Sequence, residues 1–486
     1  MSNFYITTTL PYINSEPHLG FAKEIINADI IARHRRQLGD NVFFNTGTDE
    51  HGQKIYQKAK ELGIDVLDYA STYSNKFLEL KNSLNLSFNN FIRTTDKHHI
   101  EAAQKFWQLC YDNGNIYKKN YKVKYCVGCE MEKTDSELDH GICPFHPNQK
   151  IEEIDEENYF FKFSRFQKPL LDYYKKNPDF VKPKHRFNEI IKFVESGLND
   201  FSVSRLKEKM PWGVPVPNDD TQVMYVWFDA LINYISCLGW PNKMDNFNNF
   251  WPATQVCGKD NLRPQTAMWP SFLLSAGLQP PKEVLVFGFL TLNGQKISKS
   301  SDNTIDLIEL LGKYGSDTIR YYLAREISTF EDGDFSYEKL EKLYTSDLVN
   351  GLGNLVSRVS NLIEKNDLSI DLPKIVFSNN TPLIKKMSDE TDKFLNSMSE
   401  YRLNEALDII NSKIKKTDEF LSEKAPWKMS NKKEINEVLQ RAAENILEIS
   451  VLIWPIIPQA ANKIISQFTA DKIVKKEILF PKLLNN

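Results

Sequence analysis

The chain lacks any uninterrupted apolar run close to the roughly 18 residues that a membrane-spanning helix requires, which excludes a helical integral membrane protein. Its opening residues, Met1-Ser2-Asn3-Phe4-Tyr5-Ile6, lack the basic end and long apolar stretch of a secretory signal, so a cytoplasmic location is expected. Cysteine is scarce, 6 in 486 residues, and that excludes a disulfide scaffold in so long a chain. There is no excess of one charge: the formal net value is −3, so any contact with nucleic acid has to come from local patches rather than from the field of the whole molecule. Internal repeats and low-complexity segments are also missing. What remains, with 41% hydrophobic and 26% charged residues, is the composition of a globular chain long enough for about two to four structural units.

Those units differ in pattern. Residues 4–9 and 41–46 read as apolar-rich strands, whereas 23–37 and Gln53–Leu62 carry helical periodicity. The economical assembly is α/β, a Rossmann-like parallel sheet that binds a nucleotide. The alternation breaks near 114–123 into charge-rich text, resumes at Gln222-Val223-Met224-Tyr225-Val226-Trp227-Phe228, and resumes again at Glu283-Val284-Leu285-Val286-Phe287-Gly288. Helices are expected at 306–314 and Ser316–Glu326. From about Ser346 the text is helical throughout, with Leu348, Leu352, Leu355, Val359 and Leu362 on one stripe. The predicted organisation is a nucleotide domain in two halves, 1–113 and 219–290, split by an insertion at 114–218. A junction at 291–345 and an α-helical bundle at 346–486, with a loop at 376–382, complete it.

The cysteines that are present are spaced tellingly. Cys126-x-x-Cys129 and Cys143-x-x-His146 make two ligand knuckles on a short hairpin, the donor set of a closed tetrahedral Zn2+ site. Three thiolates and an imidazole leave no position for water. The expected role is therefore to hold a small loop-rich insert that lacks its own core. Cys110, Cys237 and Cys257 stand in apolar or mixed sequence and read as buried thiols.

Two short stretches far apart carry the chemistry. Pro17-His18-Leu19-Gly20 opens a helix after the first strand, where free N–H groups and the helix dipole suit a polyphosphate, and Gly20 permits close backbone approach. Lys296-Ile297-Ser298-Lys299-Ser300 supplies two ammonium groups flanked by hydroxyls, a cationic clamp for the charge that grows on departing pyrophosphate. In this order the two stretches resemble the HIGH and KMSKS signatures of class I aminoacyl-tRNA synthetases. The resemblance narrows to the methionyl-tRNA synthetase family through Thr9-Leu10-Pro11-Tyr12-Ile13-Asn14 and Tyr225-Val226-Trp227-Phe228-Asp229-Ala230 with Tyr234, and it runs almost end to end.

That resemblance implies ATP-dependent activation of L-methionine to methionyl-adenylate, with Mg2+ accompanying ATP, and transfer to tRNA(Met). It implies His18, Lys296 and Lys299 as catalytic groups, and His18, Gly20, Glu24, Asp260, Lys296 and Lys299 around ATP. Leu10, Tyr12, Trp227, Ala230, Tyr234 and Gln265 would surround the methionine side chain, with Asp49 on its amino group. A polarisable thioether is well selected by apolar and aromatic surfaces. Asn354, Arg358 and Trp427 would read the anticodon, combining an aromatic plane with amide and guanidinium donors. Three departures stand out: Phe21 where the signature ends in histidine, and Gln265 and Phe287 where relatives commonly carry histidine. They define two rivals, a synthetase-like ligase serving a non-tRNA acceptor and a catalytically idle tRNA-binding protein. Family members often append a C-terminal dimerising module, and its absence after the bundle makes a monomer the expectation.

Overall fold

The computed structural model describes residues 2–129, 131–133, 135–296, 305–373 and 389–483. The segment from Ile297 to Ser300, with Lys299, and the loop expected at 376–382 lie outside these residues, and Lys296 is described by its backbone alone.

Apolar strands and long helices near the N-terminus assemble as the pattern demands. β1 (Asn3–Thr7), β2 (Asn41–Thr48) and β3 (Asn90–Arg93) lie in a six-stranded parallel sheet with Thr254–Gly258, Glu283–Phe287 and Val181–Lys182. The spatial order is β3-β2-β1, then Thr254–Gly258, Glu283–Phe287 and Val181–Lys182. Phe4 and Ile6 enter one buried cluster together with Ile25, Ile26 and Ile30 of α1 (Leu19–Gln37), while Tyr5, pointing the other way, joins a second. The order reverses between β1 and Thr254–Gly258. At the carboxyl ends of those two strands a doubly wound sheet opens a crevice for ligands.

Two expectations are corrected. The segment from Gln222 to Phe228 is not a strand of the parallel sheet: Asp219–Met224 pairs antiparallel with Pro215–Val216 and Ser204–Leu206, and Val226–Ala230 turns helical. The parallel neighbour of β1 on the side away from β2 is Thr254–Gly258, whose Gln255 and Cys257 interrupt the apolar run that marks such strands. A short apolar run reports burial, not which strand it pairs with. The inserted segment is likewise less separate than its text suggests, because its Val181–Lys182 forms the edge of the parallel sheet. Elsewhere in the insert, Ile116–Cys126 is an inner strand of a four-stranded antiparallel sheet, between Met131–Lys133 and Ile151–Phe161, with Phe201–Ser202 at the far edge.

The C-terminal region is helical as expected, beginning already at Tyr337–Leu343 and a π-helical stretch, Tyr344–Gly353. Asn354–Lys365, Asp389–Ser399, Leu403–Lys424, Lys432–Ile453 and Pro458–Phe468 follow. Leu348, Leu352, Leu355 and Val359 are buried, with Leu362 partly buried beside them.

One ion cluster ties this bundle to α1. Asp29 Oδ2 accepts from Arg33 Nε at 2.8 Å and from Arg320 Nη2 at 2.7 Å, while its Oδ1 takes the N–H and hydroxyl of Ser87 at 2.6 Å each. Arg320, from the helix Ser316–Glu326, also donates to the carbonyls of Pro455 (2.8 Å) and Ile456 (2.7 Å) at the turn between the last two bundle helices. Burial alone would raise the Asp29 carboxyl, but the two guanidiniums outweigh it and hold the pKa at about 2. The lowered value stabilises the fold above the unfolded pKa, near 3.9, and this contribution is lost as pH falls towards about 2. Asp29→Asn, which leaves buried guanidiniums unpaired, is expected to cost about 3–5 kcal/mol. The check is denaturant melts as a function of pH: the variant should lose the part of the acid dependence that Asp29 supplies.

Candidate nucleotide and amino-acid site

The site grows from the chain just beyond β1. His18 caps α1, its Nδ1 accepting the Phe21 N–H at 3.4 Å. A Cβ on Gly20 would stand 3.1 Å from the His18 imidazole, so glycine here lets the imidazole fold over the first turn. Glu24, one turn further, takes the N–H of Thr9 at 3.1 Å. Burial, reinforced by the nearby Asp260 charge, lifts its carboxyl to about 8. Asp260 follows the strand Thr254–Gly258, and its Oδ1 lies 2.8 Å from where a Gly258 Cβ would be. Glu24 and Asp260 thus lie together just beyond the ends of β1 and Thr254–Gly258, where the strand order reverses, and His18 and Gly20 precede Glu24 at the start of the same helix. The hairpin that runs from Leu290–Leu292 to Gln295–Lys296 brings the backbone of Lys296 back antiparallel to Thr291, and Lys299 lies beyond the described residues.

Phe21 and Phe287 are apolar in effect as well as in name. The Phe21 ring meets Phe77 edge to face at 5.3 Å, and Phe287 is 2% exposed beside Phe330. Packing onto neighbouring elements replaces whatever polar contact an imidazole would make there.

The expected amino-acid pocket is assembled by locked loops. Tyr12 bridges to Asp49, whose N–H donates to Pro11 O at 3.0 Å. Gly52, at φ 110, lies so close under Tyr12 that a Cβ would meet the phenol oxygen at 2.4 Å. Glu50 is fully buried and takes both Nε (2.7 Å) and Nη2 (2.9 Å) of Arg93. Of the other residues expected there, Trp227 is half-buried, and Ala230 and Tyr234 are buried. Leu10 is also buried, at 8% exposure. Gln265, on a π-helical stretch Pro264–Met268, donates Nε2 to the Tyr234 hydroxyl at 2.5 Å, and its buried Oε1 has no hydrogen-bond partner among the described residues.

Sequence reading missed the groups that hold these segments together. His51 Nδ1 lies 2.6 Å from Asp229 Oδ2, and His99 Nε2 lies 2.8 Å from Asp229 Oδ1. His99 Nδ1 in turn meets Ser236 Oγ at 2.8 Å. All three members are buried. Burial alone would raise Asp229, but the two imidazoles outweigh it and keep its pKa at about 2. Tyr5, through its hydroxyl on Tyr234 O at 2.9 Å, and Asn45, through Asn233 at 3.3 Å, press the same 226–234 segment onto β1 and β2.

Two further sites lie apart. Cys126, Cys129, Cys143 and His146 place their ligand atoms within 4.8 Å of one another. The Cys129–Cys143 sulfur separation is 3.4 Å and Cys129 Sγ lies 3.3 Å from His146 Nδ1. Zn–S of ~2.3 Å and Zn–N of ~2.0 Å in a tetrahedron imply ligand separations of about 3.5–3.8 Å, so the donor set fits a metal ion of that size. Gly128 is required, since a Cβ would strike the His146 ring at 2.3 Å. In the bundle, the Arg358 guanidinium sits 4.3 Å from the centre of the Trp427 ring and pairs with Asp418 at 2.8 Å. Asn354, one turn before Arg358, and Trp427 are exposed.

A sequence model of the family described as tRNA synthetases class I (M) matches residues 4–154 and 147–360. The chain belongs to that family. It is similar to the methionine--tRNA ligase of Thermotoga maritima, with 40% identity over 98% of this chain and 77% of that one. The methionine--tRNA ligase of Rickettsia felis is 39% identical over 100% and 95%. A solved structure of Mycobacterium tuberculosis methionyl-tRNA synthetase in complex with methionyl-adenylate superposes with a TM-score of 0.89 at 33% identity, covering 99% of this chain and 100% of that one. The class I fold is therefore present over the whole described length, and no described helix is long and apolar enough to cross a membrane.

The buried Asp229 makes a checkable claim for this class I synthetase. Asp229→Asn keeps the shape but removes the charge that both imidazoles face. It is expected to weaken methionine binding roughly tenfold, about 1.4 kcal/mol, as measured by equilibrium binding without ATP.

Proposed function

We infer that this chain activates L-methionine with ATP and attaches it to tRNA(Met). The observation that carries this reading is the similarity, over nearly all of the chain, to proteins named methionine--tRNA ligase. In the first step the methionine carboxylate attacks the α-phosphorus of ATP, the bond to the β-phosphate oxygen breaks, and pyrophosphate leaves. In the second, a ribose hydroxyl at the tRNA 3′ end attacks the acyl carbon, and AMP leaves with the bonding pair. No enzyme nucleophile is needed, so catalysis is positioning and charge stabilisation.

His18, Gly20, Glu24, Asp260, Lys296 and Lys299 take ATP, which arrives with Mg2+. His18 and the two lysines are the catalytic groups, the lysines by the resemblance of their loop to the family signature. Leu10, Tyr12, Trp227, Ala230, Tyr234 and Gln265 line the methionine pocket, and Asp49 holds the ammonium. The polar link from Gln265 to Tyr234 supplies, by amide, the contact to the phenol at a position where relatives commonly carry imidazole. Asn354, Arg358 and Trp427 read the anticodon, which the stack of half-buried Arg358 on exposed Trp427 supports. Halves 1–113 and 219–290 with insert 114–218, junction 291–345 and bundle 346–486 are the working units. A cytoplasmic monomer is the form in which they act.

Pyrophosphate exchange across the twenty amino acids should respond to methionine alone, and tRNA(Met) should then be charged. Exchange without charging would favour a ligase for another acceptor, and neither activity an idle RNA binder. Trp427→Ala should leave exchange unchanged while reducing tRNA charging by about 1–3 kcal/mol in kcat/KM. The cysteine cluster is assigned a structural Zn2+ held by Cys126, Cys129, Cys143 and His146. Elemental analysis should find zinc in the native chain and none in Cys143→Ser, with a lower melting temperature.

A further inference from the structure

Lys23 is 2% exposed, on the second turn of α1, in a place where a helix packed on a sheet ordinarily carries an apolar side chain. Its Nζ donates to the carbonyl of Gly288 at 2.8 Å. Gly288 is itself a crossing point: a Cβ there would lie 2.0 Å from Glu331 O, so the backbone after Glu283–Phe287 runs directly against residues 331–332. Asp332 closes the arrangement, accepting the Phe289 N–H at 2.8 Å and the Lys259 ammonium at 2.5 Å. Lys259 lies over the Phe289 ring at 4.5 Å and immediately precedes Asp260. From Leu290 the chain enters the small sheet of Leu290–Leu292, Gln295–Lys296 and Gly333–Phe335. Phe21 and Phe287, which flank this region, have no side-chain donor.

We propose that Lys23 is a positioning residue for the phosphate chemistry, its ammonium fixing the root of the hairpin that carries Lys296 against the helix that His18 caps. The two signature stretches are remote in sequence, and the Lys23–Gly288 bond spans 265 residues. A charge-assisted bond to a buried carbonyl is stronger than a neutral one, and without it Gly288 O would lose its donor inside the protein. The contacts named for the methionine pocket do not pass through Gly288. The role of Lys23 is therefore selective for the nucleotide half of the reaction.

The electrostatics agree with the geometry. Burial lowers the Lys23 pKa to about 8, opposed by the charges of Asp332 and Glu24. The groups facing it are Glu24 on its own helix, Asp332 on the crossing segment, and Lys259 paired to Asp332. The anchoring charge is present below pH 8 and fades above it.

The inference rests on the proposed adenylation, and methionine-dependent exchange by the native chain tests that reading separately. Lys23→Met should lower kcat/KM for ATP about 10- to 100-fold while the dissociation constant for methionine, measured without ATP, changes less than about twofold. The fall of native kcat/KM for ATP as pH rises through about 8 should vanish in the variant. Glu24 titrates in the same range, so a limb that persists in Lys23→Met belongs to Glu24 and overturns the proposal. So does a folded Lys23→Met with native kcat/KM for ATP, or one whose methionine affinity falls in parallel. Asp332→Asn, on the surface, removes the charge that supports the protonated lysine and should move the limb to lower pH. If Lys23→Met fails to fold, that shift decides, and an unmoved limb refutes the role. A native chain without exchange refutes the adenylation reading instead.

Discussion

A single carboxylate holds the two ends of this molecule in register. Asp29 on α1 draws Arg33, Arg320 and the Ser87 amide onto itself, and Arg320 carries the link into the turn at Pro455 and Ile456. A helix that presents His18 at one end is thereby bonded to the bundle that presents Arg358 and Trp427. Apolar packing between α1 and the bundle would resist separation but tolerate sliding. The directional bonds of a buried guanidinium do not.

Similar logic recurs on a smaller scale around the crevice. Glu50 with Arg93, Asp229 with His51 and His99, and Lys23 with Gly288 and Asp332 each join segments that carry residues proposed to face a ligand, without being expected to face one themselves. Buried charge is costly unless fully partnered, and these groups are partnered. The proposed site thus has its walls set from behind, so that the groups assigned to its ligands can remain few: an imidazole, three carboxyls, aromatic surfaces and a lysine-bearing hairpin. Such preorganisation suits a reaction in which no covalent bond to the protein forms.

Much of this was legible in the chain. The strands near 4 and 41, the helix Gln53–Leu62, the helix Ser316–Glu326 and the buried stripe from Leu348 to Val359 follow from periodicity, since side-chain burial repeats every two or about 3.6 residues. The metal knuckles were legible because ligand spacing is a local property of two tight turns. The segment Gln222–Phe228 misled, because an apolar run is equally at home in a parallel or an antiparallel sheet. Thr254–Gly258 was overlooked because Gln255 and Cys257 broke its pattern, although every residue from Thr254 to Cys257 is buried. The losses of imidazole at Phe21 and Phe287 set up the two rival readings in the sequence. In the structure both rings are packed, with a buried lysine between their elements.

By itself the amino-acid order determined the class of fold, the four residues that cluster as a candidate metal site and the residue types proposed to meet ATP, methionine and an RNA base, because each depends on short-range spacing or on the chemistry of single side chains. Only the tertiary structure decided which strand lies beside β1, that Asp229 gathers two histidines, and that Lys23 reaches Gly288. The side-chain contacts among these join residues from 130 to 265 positions apart, and a distance of that kind is set by the path of the whole chain, to which no local pattern is sensitive.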